Sequence, residues 1–103
     1  MGRKVYVVSD GGHDYSGAAK YGEIVFCTKN VIPKNDVHQM YRELKEALKD
    51  MQSDDYLMIS SLTTLCVVAS NFIVDRFGEL HLLLYRGNGE YYTEDLVYPS
   101  FWE

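Results

Sequence analysis

The sequence predicts an α/β fold: a small, mostly parallel sheet with two main helices and a C-terminal antiparallel hairpin. Three observations point there. Short β-branched or aromatic runs alternate with segments of helical period. The run 37–51 repeats its apolar residues at close to 3.6. Near the end, Gly87-Asn88-Gly89 separates two strand-like runs, and Asn-Gly tolerates the positive φ that a tight hairpin needs. The 103 residues make one domain, 1–103.

Each element has its own signal. Residues 4–9 read as a strand, because Val5, Tyr6, Val7 and Val8 are nearly continuous, as in a strand covered on both faces. Ser16 reads as the N-cap of a short helical turn through Tyr21, with Gly22 as its stop. A second strand runs 23–28 around Ile24, Val25 and Phe26, and a loop follows over 29–34. The clearest helix spans about 35–51, with Val37, Met40, Tyr41, Leu44, Ala47, Leu48 and Met51 as its apolar stripe. Asp36 and Gln39 suit a capping box, and Arg42, Glu43, Lys45, Glu46 and Lys49 form a solvated face.

A third strand is expected at 56–59, then a helix at about 62–77 opened by Ser60-Ser61. That second helix is apolar almost all round, which predicts burial on more than one side, either in the fold or against another subunit. Gly78 stops it. Residues 79–86 and 90–95 form the hairpin strands, with His81 on the less buried side and Arg86 in a salt bridge at the hairpin end. The tail carries Phe101 and Trp102, aromatics suited to packing back on the core or anchoring an interface.

Composition narrows the classes of function. A hydrophobic content of 47% excludes disorder. The formal net charge of −5 argues against a duplex DNA partner, which needs a basic stripe to displace counterions. The acidic clusters Asp54-Asp55 and Glu94-Asp95 read as solvated loop ends. No apolar stretch approaches membrane-spanning length, and the start is too short for a signal peptide. Cys27 and Cys66 lie in apolar runs without metal-ligand spacing, so they read as buried free thiols of a reducing compartment. A cytoplasmic protein is expected.

The candidate site is the loop Asp10, Gly11, Gly12, His13, Asp14, Tyr15 and Ser16, directly after the first strand. Ligands of open α/β sheets bind at the carboxyl ends of strands. If strands one and three are neighbours, that loop meets Ser60, Ser61 and Thr63 at one edge. Free amides and the positive dipole at a helix start favour an anion there, although Ser60 or Ser61 also serves as an ordinary N-cap. His13 and Asp14 place an imidazole beside a carboxylate, a pairing suited to acid–base work. A surface turn is the alternative, with Asp14 bonding locally and Tyr15 packing. No phosphate-loop or nucleophile-elbow motif is present, and Asp10, His13 and Asp14 have only generic spacing for a metal. No metal or cofactor is expected.

Several segments taken as a set carry a resemblance. They are Gly11-Gly12-His13-Asp14-Tyr15-Ser16, Tyr21-Gly22-Glu23, Met40-Tyr41-Arg42-Glu43, Ala47-Leu48-Lys49-Asp50, Asp55 through Thr63, and Gly78 through Arg86. From about residue 4 to 95 the chain resembles a group of small accessory proteins encoded by tailed phages and prophages. The resemblance implies an origin rather than a mechanism: a phage protein working in the host cytoplasm, not a part of the virion.

Three functions are expected in order. The first is a non-enzymatic binding module that engages a host protein or a small anionic, nucleotide-like ligand at the carboxyl edge. The second is a small hydrolase or nucleotide-processing enzyme using His13 and Asp14. The third is a structural homo-oligomer held by the second helix or by Phe101 and Trp102.

Overall fold

The computed structural model describes residues 2–9, 14–28, 36–59 and 63–97. Five strands form one sheet: β1 (Lys4–Ser9), β2 (Glu23–Thr28), β3 (Tyr56–Met58), β4 (Glu79–Gly87) and β5 (Glu90–Val97). Two helices, α1 (Val37–Ala47) and α2 (Thr63–Phe77), and a 3-10 helix (Ser16–Tyr21) connect them. The strand order is β2-β1-β3-β4-β5. β1 pairs in parallel with β2 and β3, β3 pairs in parallel with β4, and β5 returns antiparallel to β4. The expected architecture is the observed one.

Alternation along β1 divides the core in two. Tyr6 and Val8 point to the face that carries both long helices, with Leu44, Leu48, Leu57, Ala69 and Ile73. Val5 and Val7 point to the opposite face, where Ala18 of the 3-10 helix, Tyr56, Met58, Leu83 and Tyr91 pack. This is why the run Val5–Val8 carries no charged residue: neither face of this interior strand meets water.

Several boundaries differ from the sequence expectation. α1 begins at Val37, with the Asp36 carboxylate accepting the Gln39 amide at 2.9 Å, and it ends at Ala47 instead of Met51. Its end is taken over by α2, because the Arg76 guanidinium donates to the carbonyls of Leu48 and Lys49. Leu48 and Met51 stay buried in the turn that follows. α2 begins at Thr63, and β3 ends at Met58, one residue short of Ile59, whose amide still reaches the Leu83 carbonyl. The hairpin is longer than expected: pairing continues through Leu80↔Leu96 to Glu79↔Val97.

Within one chain α2 buries Leu65, Cys66, Ala69 and Ile73 on one side while Val67 stays 53% exposed, so the fold itself does not enclose it all round. One burial expectation fails. Asp55 is not a solvated loop end. It is buried, and its two carboxylate oxygens accept the amides of Lys4 and Gln52 at 2.9 and 2.8 Å, tying the start of β1 to the turn before β3.

Candidate functional site

β1 sits between β2 and β3, so Val7 faces Phe26 on one side and Met58 on the other. The chain leaves β1 toward β2 by way of the 3-10 helix on one face. It then passes to β3 by way of α1 on the opposite face. The direction of winding therefore reverses between β1 and β3. In open α/β sheets, a reversal of this kind opens a crevice at the carboxyl ends of the two strands. The structure thus makes strands one and three neighbours, the condition that the candidate site required.

Of the residues expected at that edge, Asp14, Tyr15, Ser16 and Thr63 lie within the described structure. Asp10, Gly11, Gly12, His13, Ser60 and Ser61 lie outside the described residues, as does the tail with Phe101 and Trp102. The Asp14 carboxylate accepts the Ser16 amide at 2.9 Å. That bond, helped by the Ser16 hydroxyl, lowers its pKa below the ordinary carboxylate value. Asp14 is therefore the side-chain acceptor at the start of the 3-10 helix. Ser16 is the first residue of that helix and Tyr15 its cap, which corrects the expectation that Ser16 caps it. A carboxylate stabilised in its charged form is a poor general base near neutral pH. Tyr15 packs edge-on against Phe26, with ring centroids 5.5 Å apart.

Thr63 opens α2 on the helix-bearing side of the sheet and is exposed. At the end of β2 the buried Thr28 hydroxyl donates to the Val8 carbonyl at 2.8 Å and locks the ends of β1 and β2 together. Arg86, at the end of β4, stacks over the Tyr92 ring at 4.9 Å and makes no ion pair among the described residues, so the expected salt bridge is absent there.

Other reactive groups are placed elsewhere. Cys27 and Cys66 are free and buried, as expected. Burial, reinforced by Cys66, pushes the Cys27 thiol up to about 12, too high for a nucleophile. Among the described residues, no group of three or more His, Cys, Asp or Glu is arranged to hold a metal. No helix among them is long and apolar enough to cross a membrane.

One polar cluster was not anticipated. His81 is half-buried, and both ring nitrogens are engaged. Nε2 lies 2.6 Å from Glu79 and Nδ1 lies 2.7 Å from Asp95. Burial of the ring opposes its charge, but the two carboxylates outweigh it and raise the pKa above the ordinary value of 6.5. The Glu79-x-His81 spacing was visible as two side chains on one strand face. Asp95 needed the hairpin register, His81↔Asp95.

These features define a small α/β protein, doubly wound about its first strand and closed by a hairpin, with the winding reversing between β1 and β3. The chain belongs to the phage Pam3 gp32-like protein family, whose model matches residues 3–99. The resemblance to small phage-encoded proteins is thereby borne out. No curated protein and no solved structure matches the chain.

Proposed function

We propose that this phage protein is a non-enzymatic accessory module that works in the host cytoplasm and holds a small anionic, nucleotide-like ligand at the carboxyl edge. The observation that carries the reading is the reversal of winding between β1 and β3, next to the start of a fifteen-residue helix. Switch-point crevices take small ligands, and the first amides of a helix favour a phosphate or carboxylate. The same geometry favours a small ligand over a host protein at this edge. A binding role is supported over a catalytic one by Asp14, whose carboxylate is committed to the Ser16 amide.

Native mass spectrometry of the protein purified from bacterial cytoplasm, with thermal shifts against ATP, GTP and inorganic phosphate, tests this. The expected result is a retained anionic mass, or a melting temperature that rises with one of the anions as mass action requires. Thr63→Val and Asp14→Ala weaken that rise. A protein that emerges without ligand and is indifferent to all three anions refutes the reading. Hydrolysis of ATP or GTP that Asp14→Ala abolishes establishes an enzyme instead.

A further inference from the structure

The outer seam between α1 and α2 carries a furrow whose two ends differ in chemistry. One end is a hollow of about 480 Å³ walled by the apolar residues Val37, Tyr41, Val68 and Phe72 together with His38, Asn71 and Asp75. The other is a hollow of about 430 Å³ that shares Phe72 and is walled by Arg42, Lys45, Lys49 and Arg76, with Glu46 as its one carboxylate. On a chain whose formal net charge is −5, four cations around one hollow make a local reversal of sign.

Two of those cations have structural work. Arg76 closes the end of α1 through the carbonyls of Leu48 and Lys49, and Lys49 pairs with Glu46 at 2.7 Å. Arg42 and Lys45 have no ion-pair partner among the described residues. At the apolar end, Val37 is 48% and Tyr41 45% exposed, although both belong to the apolar stripe of α1. Tyr41 meets Phe72 edge-on at 5.8 Å, so the apolar floor runs on into the basic hollow. A solvated helix face explains the charges but not the grouped apolar residues beside them.

We propose that this furrow docks a peptide segment of another protein, one that presents aliphatic or aromatic side chains followed by carboxylates. The apolar anchors seat against Val37, Tyr41 and Phe72, and the carboxylates meet Arg42 and Lys45. From Val37 to Lys45 the helix rises about 12 Å, which is room for about two turns of a docked helix. A second copy of this chain is a poorer occupant. A two-fold pairing sets the cations of one copy against the apolar end of the other, where Asp75 is the one carboxylate in the wall. Nucleic acid is poorer still, because two uncommitted cations are too few to neutralise a phosphate backbone.

The test is selection from a displayed library of random peptides of about twelve residues, long enough to span the furrow as a helix. The intact chain is the target, and an Arg42→Glu/Lys45→Glu variant is used for counter-selection. The expected winners combine aromatic or aliphatic residues with Asp or Glu. By fluorescence anisotropy they bind the parent at least about tenfold tighter than the charge-reversed variant. Their affinity falls with added salt. Val37→Ser/Tyr41→Ser weakens the same peptides, and an Arg42→Gln/Lys45→Gln variant does so without reversing charge, with circular dichroism confirming that each variant folds. Failure to enrich acidic peptides overturns the proposal, as do winners held equally by all variants. Tighter binding of a single-stranded oligonucleotide also overturns it, as does a dimer mass in light scattering that the variants abolish.

Discussion

At the scale of single residues, the buried and half-buried ionisable groups hold segments together. Asp55 binds two backbone amides from different segments, so its carboxylate replaces the water that each amide would otherwise need. His81 joins β4 to β5 through Asp95 and is held from its own strand by Glu79. Only an imidazolium can donate from both nitrogens at once, so the geometry itself selects the charged ring. Tyr56 is the neighbour of His81 in β3, and its hydroxyl accepts from Arg3, whose guanidinium also lies over the Tyr56 ring. A pKa raised on folding stabilises the native state fully below about 6.5, and that contribution fades as pH rises through the folded value. Urea titration of the parent and of His81→Asn therefore gives a stability difference that is largest at mildly acidic pH and shrinks toward alkaline pH. A difference that is constant across that range contradicts the ion-paired assignment.

At the scale of elements, the 3-10 helix depends on close backbone approach. A Cβ placed on Gly17 would lie 2.1 Å from the Gly89 carbonyl oxygen, so the helix rests directly on the hairpin turn. The Tyr21 hydroxyl adds a bond to the Tyr91 carbonyl at 3.0 Å. Gly17→Ala forces the two apart and is expected to cost about 1–3 kcal/mol in chemical denaturation, in the range of other overpacking changes. A cost near zero would mean that the contact is loose. Nothing in the sequence announced this contact, because Gly17 and Gly89 are far apart in the chain and each reads as a local turn residue.

What the sequence did show was periodicity. The alternation of strands and helices, the stripe of α1 and the Asn-Gly turn all report local geometry, and each element appeared in its expected place. The C-terminal end of α1 did not, because Arg76 comes from another element. The exposure of Val37 and Tyr41 was equally hidden, since a stripe shows which face is apolar but not how far the neighbouring helix covers it.

At the scale of the whole molecule, the strand order sets the carboxyl end of β1 beside that of β3. β1 lies inside the sheet, β2 and β3 flank it, and the winding reverses between β1 and β3. The positions after both strands could be read from the sequence as polar and hydroxyl-bearing, but that β1 and β3 themselves are neighbours followed only once the strand order was known. Membership of the phage Pam3 gp32-like family sets the biological frame.

The most direct test of the proposed ligand site is amide chemical-shift mapping of the isotope-labelled chain titrated with ATP, GTP and inorganic phosphate. Saturable shifts are expected at Ser9, Asp14–Ser16, Ile59 and the first turn of α2, with the hairpin turn and the α1–α2 furrow unmoved. Shifts confined to the furrow, or none at any of these positions, would contradict the proposed site.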